Sequence, residues 1–132
     1  ALRKVLGEKV RQRGSNITTE RLRLDFTFAR KLTVEELLTI EKLVNEQIVA
    51  DWPVTRRDLP RAEAEVLGAE HEFGAKYGDI VSVYFIGPED APVSKEFCGG
   101  PHAARTGELG HFKILKEEAV AAGLRRIKAT LD

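Results

Sequence analysis

Between residues 22 and 48 the hydrophobic period of the chain changes from two to about 3.6, and that change limits the folds open to it. Leu22, Leu24, Phe26 and Phe28 alternate with Arg21, Arg23, Asp25 and Thr27. The alternation predicts a half-buried strand within an extended stretch over residues 17–28. Shortly afterwards Leu37, Ile40, Leu43, Val44 and Ile48 recur at helical spacing, with Glu41, Lys42 and Glu46 outside them. Thr33 and Glu36 have the spacing of a capping box. Asp51-Trp52-Pro53 ends the helix after Ala50, because the residue before a proline avoids helical angles. A strand face and a helix stripe of this kind need an apolar surface to cover them, and each suits the other.

The remaining elements follow from local signals. Residues 1–6 carry an apolar pattern that fits a helix already under way. No capping residue precedes it and the chain has no methionine, so the expectation is one domain over residues 1–132, shortened at its N-terminus. Gly7 and Gly14-Ser15 punctuate this first helical stretch. Residues 53–57 read as a short edge strand, and Pro60 starts a short helix through Ala62, Ala64 and Val66. Ile80–Ile86 is β-branched and aromatic and suits a central strand, stopped by Gly87-Pro88. Ser94–Phe97 reads as the next strand and delivers Cys98 at its end. Residues 112–115 form another. Gly123 turns the chain into a last strand, where Ile127, Ala129 and Leu131 share a face. Helices and strands do not alternate regularly. The expected architecture is therefore α+β, with helices packed on one face of a mostly antiparallel sheet.

Composition narrows the function classes. With 132 residues, 42% hydrophobic and 32% charged, the chain can bury a core without disulfides or a structural metal. A single cysteine excludes an internal disulfide and suits a reducing, cytoplasmic setting. No apolar run approaches the length of a membrane span. Net charge is zero, yet residues 1–31 hold nine Lys or Arg against three acids. That local excess is either a basic face for phosphates or ordinary solvated surface.

The segment densest in chemistry is Cys98-Gly99-Gly100-Pro101-His102, followed by Arg105-Thr106-Gly107-Glu108-Leu109-Gly110. A thiolate and an imidazole at this spacing can bind one zinc ion across a tight turn. Equally, Cys98 can be a small buried hydrophobe and His102 a surface or hydrogen-bonded imidazole. Gly99 and Gly100 permit backbone angles closed to other residues and let a ligand come close to the main chain. A catalytic zinc normally takes three protein ligands and a water. Only His71 and His111 remain as further histidines, and nothing requires either to complete a site. No phosphate-binding loop, dinucleotide fingerprint or Gly-x-Ser-x-Gly elbow is present.

These residues resemble the hallmark of alanyl-tRNA synthetase editing domains and their free-standing relatives. The likeness runs from Phe97 through Ile114, including Cys98-Gly99-Gly100-Pro101-His102 and Arg105-Thr106-Gly107. It continues in ordered blocks across nearly the whole chain: residues 1–7, 12–15, 21–26 and 43–46, Gly68, Phe73-Gly74, Lys76-Tyr77, and residues 122–127. The resemblance implies the α+β fold of the threonyl and alanyl second additional domain. It also implies zinc-dependent hydrolysis of mischarged Ser-tRNA(Ala) or Gly-tRNA(Ala), with a tRNA-binding module lacking hydrolysis as the alternative. Of four zinc ligands, the later pair maps onto Cys98 and His102. The other two, histidines spaced by three on a helix, fall before Ala1, so the zinc site is expected to be incomplete here and the chain inactive as it stands. Gln12 matches a polar residue lining the editing pocket, and Gly99 and Gly100 would face the ester or the terminal ribose. Arg21, Arg23, Arg125 and Arg126 would meet the tRNA near its acceptor end. Pro101 stands where the family usually has threonine.

Overall fold

A computed structural model describes residues 1–69, 77–98 and 100–132. In chain order its elements are α1 (Leu2–Leu6), β1 (Gln12–Ile17), β2 (Leu22–Thr27), α2 (Val34–Val49), β3 (Val54–Pro60), α3 (Arg61–Val66), β4 (Ile80–Ile86), β5 (Ser94–Phe97), a 3-10 turn (Thr106–Leu109), β6 (Phe112–Ala121) and β7 (Leu124–Leu131). The fold is α+β and its strands pair antiparallel, as the irregular order of elements implied. The strands divide between two sheets, one ordered β1-β2-β7-β6 and the other β3-β4-β5.

The four-stranded sheet carries α2 on one face. Phe26 of β2, Ile127 of β7 and Ile40 of α2 share one buried cluster, and Phe112, Ala129 and Ile48 share another. Phe26 and Ala129 are fully buried. β2 and β7 are in register with Leu22 opposite Ala129 and Leu24 opposite Ile127, so alternate residues of both strands face the helix. At the start of α2 the Glu36 amide donates to the Thr33 hydroxyl at 3.1 Å, and the Thr33 amide donates to the Glu36 carboxylate at 2.9 Å. This is the capping box that the Thr33–Glu36 spacing requires.

α2 also covers the edge of β6. The Phe112 amide donates to Asn45 Oδ1 and the Asn45 amide group donates to the Phe112 carbonyl, both at 2.8 Å. Two residues along the strand, the Ile114 amide donates to Glu41 at 2.9 Å. Four residues of helix rise about 6 Å and two of strand about 6.8 Å, so polar side chains at that helical interval match every second strand amide. An edge that would otherwise expose unpaired groups is satisfied by the helix.

Three readings of the sequence need correction. The first helical stretch does not reach Gly14-Ser15: Gly7 stops α1 after five residues with φ 110°, and β1 starts at Gln12, ahead of the expected Ile17. The extended stretch at 17–28 is part of a hairpin: β1 ends at Ile17, and Thr18 takes the turn, its amide donating to the Arg21 carbonyl at 2.8 Å. β6 runs on from the expected 112–115 to Ala121, since pairing with β7 holds the polar stretch of Lys116, Glu117 and Glu118 extended.

Candidate functional site

β4 is the middle strand of the second sheet. Val81, Val83 and Phe85 point into a core with Ala64 and Phe97, which leaves Ser82, Tyr84 and Ile86 on the opposite face. β5 pairs with β4 from Ser94 opposite Ile86 to Phe97 opposite Val83. The Cys98 amide extends the ladder by one bond, donating to the Ser82 carbonyl at 3.0 Å. The half-buried Cys98 therefore stands at the end of a strand, where the sequence put it.

The chain then folds over Tyr84. Its hydroxyl donates to the Gly100 carbonyl at 3.2 Å, and its ring stacks on the His102 imidazole with centroids 3.8 Å apart and planes 21° from parallel. The Gly100 amide donates to Cys98 Sγ at 3.4 Å. Sulfur, loop backbone and imidazole are thus tied to one aromatic side chain. The imidazole edge reaches solvent, but the covered face loses water, and this burial pushes the His102 pKa below its ordinary value. The ring is then neutral near pH 7, the state that accepts a metal.

A Cβ on Gly100 would meet Cys98 Sγ at 3.7 Å, an ordinary contact distance. Gly99 and His71 lie outside the described residues. His111 begins the approach to β6, exposed, with its backbone paired to Asp132. Among the described residues no group of three or more His, Cys, Asp or Glu side chains forms a metal cluster.

The second half of the motif is a clamp. Thr106 is buried; its hydroxyl donates to the Gln47 carbonyl at 2.6 Å and accepts from the Trp52 amide at 2.8 Å. Asp51, with φ 51°, accepts from Arg105 Nε and from the Gly107 amide, each at 3.1 Å. A Cβ on Gly107 would lie 2.4 Å from Asp51 Oδ1, so glycine is needed for this approach. The Val54 amide adds a bond to the Ala104 carbonyl at 2.9 Å. Cys98 is therefore held by β5, and the chain beyond His102 by the C-terminal end of α2. Neither the clamp nor Tyr84 was visible as such in the sequence. The sequence marked Tyr84 only as part of a β-branched and aromatic central strand.

Gln12 is set apart from these residues. It lies on β1, where its amide reaches Ser15 Oγ at 3.5 Å, and it lines a cavity of about 550 Å³. Leu22, Leu24, Phe26 and Ile40 form apolar wall, and Ser94, Lys95 and Glu96 of β5 form polar wall. Among the described residues the lining does not include Cys98, Gly100 or His102. The link is β5 itself, which walls the cavity and ends at Phe97, next to Cys98.

The four arginines are also placed. Arg126 makes a two-pronged pair with Asp25 at 2.7 and 3.0 Å, and Arg23 approaches the same carboxylate at 3.6 Å. The hydrogen bond from Arg126 holds the Asp25 carboxyl below the usual range. Arg125 pairs with Glu117, whose side chain is 2% exposed. Arg21, at the β1–β2 turn, donates to Asn16 Oδ1 at 3.4 Å.

Residues 81–128, which hold Tyr84, Cys98, His102 and Thr106, match the threonyl and alanyl tRNA synthetase second additional domain. The full 132 residues are 52% identical to part of an alanine–tRNA ligase from Treponema denticola. Both findings are consistent with the alanyl-tRNA synthetase second additional domain. Across 131 residues, identity is 53% to the alanine–tRNA ligase of Thermus thermophilus, with 98% of this chain aligned, and 50% to that of Borreliella burgdorferi, with 99% aligned. The chain spans 21% of the Treponema denticola and Borreliella burgdorferi ligases and 15% of the Thermus thermophilus one. The stretch that matches the domain runs from β4 through β5 and β6 into β7.

Proposed function

We infer that this second additional domain edits alanine tRNA, hydrolysing the ester of Ser-tRNA(Ala) or Gly-tRNA(Ala) in the cytoplasm. The observation that carries the reading is that Tyr84 stacks on His102 and bonds Gly100, whose amide reaches Cys98 Sγ, within the stretch that matches the family. The need for such an activity follows from binding energies. A pocket shaped for alanine separates it from glycine or serine by only about 10–200-fold, because one methyl or hydroxyl changes little.

The donor set fits zinc: a partly exposed thiol and an imidazole whose nitrogens form no hydrogen bond with described residues. Cys98 and His102 would hold the ion together with the histidine pair that the family resemblance implies. Bound zinc would supply Lewis acidity for the attack of water on the ester. The chain's own residues do the placing. Gly100, and Gly99 beside it, offer backbone to the ester or the ribose. Gln12, on the cavity wall that leads along β5 toward Cys98, reads the serine hydroxyl. Arg21 meets tRNA phosphates, and Arg23 does so with the part of its guanidinium that Asp25 leaves. Arg126, on the face away from α2 with Arg23, is taken up by Asp25, and Arg125, on the α2 side, by Glu117, so both weigh toward holding the sheet rather than toward direct phosphate contact.

The rival reading, a tRNA-binding module without hydrolysis, draws on the two-donor set among the described residues. Deacylation of Ser-tRNA(Ala) separates them. A polypeptide extended upstream through the histidine pair is expected to release serine, and Cys98→Ala to abolish release while tRNA binding persists. Tight tRNA binding with no release by the extended protein would favour the rival.

A further inference from the structure

We propose that Tyr84 is the positioning residue of the metal site: its ring sets the plane of the His102 imidazole and its hydroxyl fixes the Gly100 backbone that touches Cys98 Sγ. The inference rests on the editing reading above and assigns a residue to it. The final torsion of a histidine is broad, so an imidazole at the end of a loop has no preferred plane of its own. Stacking at 3.8 Å and 21° supplies one. It does so through the ring face, and ring nitrogens donate or ligate in the ring plane, so both stay open. A hydrogen bond would fix the ring equally well but would consume one nitrogen.

The hydroxyl acts on the other donor. It holds the Gly100 carbonyl at 3.2 Å, and the amide of that same residue lies 3.4 Å from Cys98 Sγ. One side chain thus sets both ends of a four-residue step. Tyr84 is itself held firmly. It occupies the middle strand of its sheet, opposite Arg56 of β3 and Glu96 of β5. Arg56 is in turn paired with Asp58 at 3.1 Å, and Asp58 accepts from Ser82 at 2.8 Å.

Two measurements test this. Proton resonances of the His102 ring, in the 132-residue chain, are expected upfield of those of exposed His111, and Tyr84→Val or Tyr84→Thr should remove the difference. Coincident resonances in the wild type would mean that no stack exists in solution, which overturns the proposal without any variant. Zinc affinity is then measured by competition with a chromogenic chelator on the full-length polypeptide. Cys98→Ser should abolish binding at this site, and Tyr84→Val or Tyr84→Thr, both suited to a half-buried strand position, should weaken it about tenfold or more. Binding lost in Cys98→Ser but unchanged in the Tyr84 variants overturns the positioning role and leaves the zinc reading intact. Equal binding by wild type and Cys98→Ser overturns both.

Discussion

Replacing Thr106 by valine removes a hydroxyl and keeps the side-chain shape, so it isolates the clamp between the motif and α2. The hydroxyl makes two bonds, to the Gln47 carbonyl and from the Trp52 amide, at a residue 5% exposed. Thr106→Val leaves that carbonyl and amide without this partner. At about 1–1.5 kcal/mol for each part-buried bond, the loss is about 2–3 kcal/mol. Unfolding entropy is about 2.1 cal/mol/K per residue, so for this chain the melting temperature should fall by roughly 7–11 °C. Urea denaturation followed by circular dichroism should show a lower midpoint with an unchanged slope. Thr39→Val is the control, since the Thr39 hydroxyl bonds the Glu35 carbonyl on an exposed helix face; it should stay within about 0.5 kcal/mol of wild type. Faster hydrogen exchange at Val54, whose amide bonds the Ala104 carbonyl, should accompany the loss. A Thr106→Val protein as stable as the control would refute the clamp and leave the chain beyond His102 without its anchor to α2.

Three more outcomes follow from the structure. Hydrogen bonds from Arg30 and from the Thr33 amide push the Glu36 pKa down to about 2. A lowered carboxylate pKa gives stability that is present above about pH 4.5 and lost as pH falls toward 2, so Glu36→Gln should flatten the melting temperature across that range while leaving the rest of the profile. Asp25→Asn leaves Arg126 and Arg23 without their carboxylate and should cost about 1–3 kcal/mol in chemical denaturation; a neutral result would mean that the guanidiniums find water as readily. Gly107→Ala must move the Asp51 carboxylate off the Gly107 amide and Arg105, with an expected loss of about 1–2 kcal/mol by calorimetry and none in Asp51→Ala/Gly107→Ala beyond Asp51→Ala alone.

What the sequence determined by itself is what neighbouring residues decide. Alternation at Leu22, Leu24 and Phe26, helical spacing from Leu37 to Ile48, the Thr33–Glu36 box and the Gly123 turn all act within one or two turns of chain, and each element they predict is present. The motif at Cys98 to His102 was legible for the same reason, as was the end of β5 that delivers it. Tertiary structure alone decided the rest. The division into two sheets, the pairing of Arg125 and Arg126 with Glu117 and Asp25, and the match of Asn45 and Glu41 to β6 depend on which strands meet and in what register. So does the place of Tyr84 beneath His102, because a ring on one strand finds a loop 18 residues later only when β5 folds back along β4. Local patterns record backbone angles and burial; partners far apart in the chain are chosen by long-range register, which no short stretch of residues encodes.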